Sequence, residues 1–311
     1  GEGYLEEAVE SILNQTFRAF EFIIIDDAST DNSRDLLEGY ATRDQRIVLL
    51  RNEHNLGLTK SLNRGLRFAR GQFIARQDAD DVSLPKRLQM QVAFLDEHQH
   101  IGMVGSHVAF INDDGEEFTK WKMPTSHEKL IKTLGQGNSF CHGSVMVRRS
   151  CLQRVGSYRD KFKYAQDYDL WLRVSEHFHV ANVDVCLYKH RRSRNGISRN
   201  KLGEQLNYHL LAAQLAGERR RTGCDSLANI ECDDVVSVLK SKYSLMESEI
   251  RAFKGNVFMR RFNECLRAKD YGGALRVWVK GFLLDRKVGK IRVLSEGIYR
   301  TMHESVVGLR K

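Results

Sequence analysis

Hydrophobic positions in the first hundred residues alternate between two periods. Leu5, Ala8, Val9 and Ile12 recur at the i, i+3, i+4, i+7 spacing of an amphipathic helix over residues 4–13. The β-branched run Phe22-Ile23-Ile24-Ile25 is short enough for a strand buried on both faces, and it ends in the polar Asp26-Asp27-Ala28-Ser29-Thr30-Asp31, both a turn and a helix N-cap. Leu36, Leu37 and Tyr40 then mark a helix and residues 47–50 a strand. After the turn Asn55-Leu56-Gly57, a helical stripe of Leu58, Leu62, Leu66 and Ala69 follows. A third strand, Phe73-Ile74-Ala75, delivers Asp78-Ala79-Asp80-Asp81 to its carboxyl end. Strand and helix in alternation predict an open parallel α/β sheet, whose ligands bind outside the carboxyl ends of its strands. Asp26, Asp27, Asp78, Asp80 and Asp81 all fall on that edge.

From Met103 the pattern changes. Residues 104–111, the turn Asn112-Asp113-Asp114-Gly115 and residues 116–121 read as a hairpin. A helix near 128–134, a strand at 144–147 and a helix near 151–155 come next. In Tyr164-Ala165-Gln166-Asp167-Tyr168-Asp169-Leu170-Trp171-Leu172-Arg173 a polar loop becomes a helix with Leu170, Trp171, Val174 and Phe178 facing inward. Asp167 therefore sits in the first turn, where the helix dipole stabilises a carboxylate; a simple N-cap would also explain an Asp there. Residues 180–185 suit a strand and residues 187–198 a basic loop. Lys189, His190, Arg191, Arg192 and Arg194 could clamp a diphosphate there or be a solvated run. Beyond residue 200 the pattern is helical: Leu202, Leu206, Leu210 and Leu211 share a face, and residues 262–284 read as a helical hairpin. Two regions are expected, 1–200 and 201–311.

Three carboxylates in four residues repel one another, so gathering them at a strand end calls for a cation. Oxygen-only ligands favour Mg²⁺ or Mn²⁺ over zinc, and Mg²⁺ typically bridges one or two carboxylates to a substrate diphosphate. The plain alternative is a solvated acidic loop before the helix that Pro85 begins.

Composition narrows the class. With 311 residues, 41% apolar and 29% charged, the chain can bury a full core and is ordinary globular material. It contains no run of eighteen apolar residues and no secretory leader pattern, and it begins without Met, so an upstream piece is expected. The net charge of +9 is uneven: residues 1–200 carry 28 basic and 27 acidic side chains, residues 201–311 carry 21 and 13. That basic region suits an anionic membrane surface or a solvated helical face; no nucleic-acid partner is expected. The six cysteines form no CxxC or Cys/His metal spacing and read as reduced packing residues of a cytoplasmic protein, with peripheral membrane contact as an option.

Jointly these motifs resemble the family 2 glycosyltransferases of GT-A fold, a Rossmann-like open mixed sheet flanked by helices, over roughly residues 1–198, here followed by a C-terminal helical region. Asp26-Asp27-Ala28-Ser29-Thr30-Asp31 is similar to the family's nucleotide-binding strand end. Asn55-x-Gly57 and Asn63-x-Gly65 are similar to the segment before the metal motif, and Asp78-Ala79-Asp80-Asp81 to the DxD motif itself. Gln166-Asp167 resembles the Glu-Asp that supplies the base, in the same Asp-Leu-Trp-Leu-Arg helix. The resemblance implies an inverting transfer of a sugar from a nucleotide-sugar donor to a hydroxyl of a glycan or lipid-linked acceptor. Asp80 would hold Mg²⁺ or Mn²⁺, Asp78 would contact the ribose or sugar, Asp26 and Asp27 the nucleoside, and Asp167 would be the general base. Arg191 and Arg192 would meet the diphosphate. Several positions depart from the family pattern. Its opening strand, ending in a Pro-x-x-Asn type motif, precedes the point at which this sequence starts. Leu62 stands where members often have Arg, with Lys60 as substitute. Ser193 stands where members place a His, and His190 lies three residues upstream. His142, in Cys141-His142-Gly143-Ser144, falls on the family's acceptor side. The rival readings are a non-catalytic nucleotide-sugar-binding or partner module and a sugar nucleotidyltransferase. A dinucleotide oxidoreductase is disfavoured, because no GxGxxG follows a strand.

Overall fold

Short β-branched runs and amphipathic helices alternate through the computed structural model, which describes residues 2–192 and 201–230. These residues lie in one compact unit, Gly1–Ser244; a second unit, Leu245–Lys311, and the expected hairpin at 262–284 lie outside the described residues.

Helix α1 (Glu2–Leu13) buries Leu5, Val9 and Leu13 against Leu37 and Tyr40 of α2 (Ser33–Arg43) and Ile47 of β2 (Ile47–Arg51). Strand β1 (Phe22–Asp26) pairs in parallel with β2 from Phe22↔Ile47 to Asp26↔Arg51. Helix α3 (Leu58–Phe68) leads to β3 (Phe73–Ala75), which does not pair with β1 among the described residues. Instead β3 is the edge of a second, mixed sheet and runs antiparallel to β7 (Met146–Arg148). Of the three strands that the alternation of the first hundred residues placed in an open parallel sheet, β1 and β2 pair in parallel among the described residues and β3 does not join them.

The second sheet runs β3-β7-β5-β8-β4, with β5 (Ile101–Ile111) at its centre, fully buried along its length. Its partners are β7, antiparallel, β6 (Glu117–Trp121), antiparallel as the hairpin reading required, and β8 (His179–Arg191), parallel. Strand β8 is longer than the 180–185 stretch assigned to it. It continues through Arg191, and β4 (Val82–Ser83) pairs with its end at Val82↔Lys189. Residues 187–191 are therefore strand, not loop: Leu187 and Tyr188 are buried, and the pattern of buried residues overrides the run of cations.

Helix α4 (Arg87–Glu97) closes one face of the sheet with Leu88 and Leu95 against Ile101, Val104, Met146, Ala181 and Val183. The other face is covered by α5 (His127–Leu134), α6 (Arg149–Val155), α7 (Gln166–Ser175) and α8 (Leu202–Thr222). Arg148 and Arg149 cap helix ends: Arg148 Nε donates to the Ile101 carbonyl and its Nη2 reaches carbonyls at the end of α4, while Arg149 Nη1 donates to the Arg70 carbonyl beyond α3 (2.8 Å).

The stripe expected to bury α3 is only partly realised. Leu62 and Leu66 pack on the core, but Leu58 is 43% exposed, and the buried positions are Thr59, Ser61, Asn63 and Gly65. Polar anchors explain this. Thr59 Oγ1 donates to the Phe162 carbonyl (2.7 Å), and Asn63 Nδ2 to the Tyr158 carbonyl (2.8 Å) and Asp160 Oδ1 (2.7 Å). At Gly65 a Cβ would lie 2.8 Å from Ile25 Cδ1, so the small residue lets α3 approach β1.

Candidate active site

The expected site residues lie on three segments: the end of β1, the Asp78–Asp81 loop after β3, and the first turn of α7. Asp26, the last residue of β1, is 3% exposed; its Oδ1 accepts the Ser29 N–H (2.9 Å), while Oδ2 is buried with no hydrogen-bond partner among the described residues, Arg34 Nε standing 3.9 Å away. Asp27 is bound into the protein. Its carboxylate accepts from Asn52 Nδ2 (2.6 Å), the Leu56 N–H (2.8 Å) and the Gly57 N–H (2.9 Å), so it holds the turn that begins α3. Burial raises its pKa, but these hydrogen bonds outweigh that and leave it below the ordinary carboxylate value. Gly57, at φ +82°, takes a conformation other residues resist. Lys60 is exposed on α3.

The three aspartates after β3 are compensated unequally. Asp81 is fully buried; its Oδ2 meets His190 Nδ1 at 2.9 Å and its Oδ1 accepts the Arg191 N–H at 2.7 Å. Asp78 pairs with Arg76, Nη2 to Oδ1 at 2.5 Å. Burial opposes its charge, but Arg76, then His142 and His190, bring its pKa below the usual value. Asp80 has no side-chain partner among the described residues. Burial, and then the charges of Asp81 and Asp78, raise its pKa. An uncompensated carboxylate of this kind fits a divalent cation that brings further oxygen ligands with it. No three His, Cys, Asp or Glu side chains among the described residues could hold a metal unaided, so the protein would supply few of its ligands.

The loop rests on a buried cation. Arg87, 0% exposed, donates to the Arg76 carbonyl (2.7 Å), Ser83 Oγ (2.8 Å) and Gln77 Oε1 (3.2 Å); Gln77 Nε2 in turn donates to the Asp78 and Asp81 carbonyls. Burial lowers its pKa to about 10, which still leaves it charged at neutral pH.

Arg191 is placed differently from the expected diphosphate clamp. It is 3% exposed, and its guanidinium is spent on the carbonyls of Asp80 (2.9 Å), Asn112 (2.9 Å) and Asp113 (3.2 Å), on Glu7 and on the ring of Tyr4. A side chain at this position in β8 points into the sheet's end and ties the acidic loop to the hairpin turn. The Arg192 guanidinium lies over Phe110 at 4.1 Å. Arg194 and Ser193 lie outside the described residues.

On the opposite side, Asp167 is half-buried in the first turn of α7. The cap position is Ala165, at φ 53°, so Asp167 is not the capping residue. Its Oδ2 accepts from Asn138 Nδ2 at 2.6 Å, and Oδ1 has no partner among the described residues. His142 lies between the two halves. Its Nε2 meets Tyr158 Oη at 2.8 Å, and its pKa is lowered by burial first and by Arg76 second, against the pull of Asp167 and Asp78. The structure thus brings Asp78, Arg76, His142, Tyr158 and Asp167 into one electrostatic neighbourhood.

The sequence reading had not singled out Arg76, Asn138, Tyr158 or Tyr188. Arg76 and Asp78 sit at strand spacing, i and i+2, on one side of the chain, a signal that was available. Asn138 and Tyr158 come from distant loops, and Tyr188 Oη, which accepts the Asp78 N–H (3.2 Å), is 110 residues away.

Residues 1–156 match the model of the family described as "Glycosyl transferase family 2". EpsE of Bacillus subtilis (strain 168), provisionally named a glycosyltransferase, is 37% identical over 214 residues, 68% of this chain and 76% of EpsE. The Escherichia coli UDP-Glc:alpha-D-GlcNAc-diphosphoundecaprenol beta-1,3-glucosyltransferase WfgD is 30% identical over 205 residues, 64% of this chain and 76% of WfgD. Among solved structures, the mannosyltransferase PcManGT from Pyrobaculum calidifontis in complex with GDP-Man and Mn²⁺ superposes with a TM-score of 0.55 at 15% identity, covering 92% of this chain and 85% of that one. A mixed sheet with helices on both faces, an acidic loop at a strand end and these relatives agree: the chain belongs to glycosyl transferase family 2, has the GT-A fold and is a glycosyltransferase.

Proposed function

We propose that the chain is an inverting, metal-dependent glycosyltransferase that moves a sugar from a nucleotide-sugar donor to a hydroxyl of a glycan or lipid-linked acceptor. The observation that supports this most is the unequal compensation of the three aspartates: among the described residues Arg76 pairs with Asp78, His190 with Asp81, and no side chain with Asp80. In this reading Asp80 holds Mg²⁺ or Mn²⁺, and the bound cation supplies Lewis-acid stabilisation of the departing nucleoside diphosphate. The buried, unbonded oxygen of Asp26 serves the nucleoside, with Asp27 shaping the turn beside it. Asp78 contacts the ribose or sugar, and Lys60 and Arg192 the diphosphate. On the other side Asp167, through Oδ1, takes the proton of the acceptor hydroxyl. As that oxygen bonds the anomeric carbon, the bond to the diphosphate breaks and its electron pair leaves with the nucleotide. One displacement inverts the configuration, and a base so placed contributes ~10²- to 10⁴-fold.

The relatives give this reading context. PcManGT is described with GDP-Man and Mn²⁺, and WfgD by its UDP-Glc donor, its diphosphoundecaprenol-linked acceptor and its β-1,3 product. No helix among the described residues is long and apolar enough to cross a membrane; a lipid-linked acceptor would be met at the cytoplasmic face of a membrane, with the basic region beyond residue 200 as the contact.

The test is transfer, or nucleotide release, by the full chain with UDP-glucose, UDP-GlcNAc and GDP-mannose in turn, each with Mn²⁺. Asp80→Asn and Asp167→Asn are each expected to lower kcat by about 100-fold or more. Full activity in either variant contradicts the role given to that residue.

A further inference from the structure

We infer that Asn138 is the positioning residue for the base, an inference that rests on Asp167 being that base. Asn138 Nδ2 donates to Asp167 Oδ2 at 2.6 Å, and Asn138 Oδ1 accepts the Phe140 N–H at 3.1 Å. The second bond fixes the first. Only an oxygen can accept from Phe140, so the amide can present only its NH₂ to Asp167. The loop that carries Asn138 is itself anchored, by Ser139 Oγ donating to Thr133 Oγ1 at 2.7 Å near the end of α5.

The consequence is an asymmetric carboxylate. Asp167 is half-buried in the first turn of α7, and among the described residues its side chain makes one hydrogen bond, to Asn138. Asn138 occupies Oδ2 and leaves Oδ1 for the acceptor hydroxyl. The donor is neutral, which matters: an Arg or Lys in its place would pair with the carboxylate and weaken it as a base, whereas an amide orients it at little cost in basicity. Asn138 touches no reacting atom in this scheme. It acts through Asp167.

The experiment uses the full chain with UDP-glucose, UDP-GlcNAc and GDP-mannose as separate probes, Mn²⁺ present and water as acceptor, with nucleotide release as the readout, alongside crystal structures of the variants. Asn138→Ala is expected to lower kcat by about 10- to 100-fold, the scale of a misplaced catalytic group, with the donor KM unchanged. Asn138→Asp sets two carboxylates against each other, so they share a proton, and the acidic limb of the kcat/KM profile moves to higher pH. A residue that only supported the loop would leave the Asp167 rotamer in place in Asn138→Ala. Wild-type kcat in Asn138→Ala, an unmoved limb in Asn138→Asp, or a crystal structure of Asn138→Ala with the Asp167 rotamer unchanged overturns the inference. Asp167→Asn separates the two failures: if it keeps full activity, the base assignment falls and the inference with it. If it is inactive while Asn138→Ala is normal, only the positioning role falls.

Discussion

Asp27 stands next to Asp26 in the sequence, yet the two carboxylates do different things. Asp27 receives hydrogen bonds from Asn52, Leu56 and Gly57, whereas Asp26 keeps one buried oxygen unbonded. Because the folded-state pKa of Asp27 lies below its unfolded value, its contribution is present above the unfolded pKa of ~3.9 and is lost as pH falls through the folded value. Asp27→Asn is therefore expected to lower stability at pH 7 by about 1–3 kcal/mol and to make the loss on acidification below pH ~4 shallower, as urea titrations across pH would show. His142 has the opposite dependence on charge type but the same direction in pH. Burial and Arg76 hold it neutral, so its contribution is present above the unfolded value of ~6.5 and is lost as pH falls through the folded one.

At the scale of elements, close packing connects the acidic loop to the sheet. A Cβ at Gly143 would lie 2.0 Å from Tyr188 Oη and 2.4 Å from Cζ, and Tyr188 is fully buried on β8 with its hydroxyl on the Asp78 N–H. Gly143→Ala is expected to cost about 1–3 kcal/mol by overpacking and to raise the donor KM, because the ring can yield only by leaving Asp78. A normal donor KM in a folded Gly143→Ala chain would break that link. Most elements were legible because each is a local pattern: the helical stripe of α1, the β5–β6 hairpin around Asn112-Asp113-Asp114-Gly115, and the first turn of α7. What was not legible came from contacts distant in sequence. The antiparallel pairing of β3 with β7 joins Phe73 to Arg148, and the basic run 187–191 is a strand because β5 and β4 pair with it. Leu58 looked like a core residue by spacing, but Thr59 and Asn63 dock α3 by hydrogen bonds that no periodicity encodes.

For the molecule as a whole, α8 is joined to the helix that carries Asp167. Tyr208, Leu211, Ala212, Leu215 and Ala216 pack into the same core as Tyr168, Trp171 and Leu172. Ion pairs reinforce the seam: Arg159 bridges the fully buried Asp169 of α7 and Asp225 beyond α8 (2.7 Å to Asp225), and Arg219 of α8 reaches Glu176 at 2.7 Å. Arg159→Ala would strand a buried carboxylate with Arg173 as its remaining partner, at a cost of up to about 3–5 kcal/mol in urea unfolding. The proposed chemistry is tested most directly by ligand-induced stabilisation of the full chain with UDP, GDP and their sugar derivatives, with Mn²⁺ or with chelator. A donor at ~100 times its Kd contributes roughly 2.7 kcal/mol. The account predicts a rise in Tm that requires the metal, disappears in Asp80→Asn and survives in Asp167→Asn. A rise that is indifferent to chelator and to Asp80→Asn would contradict it.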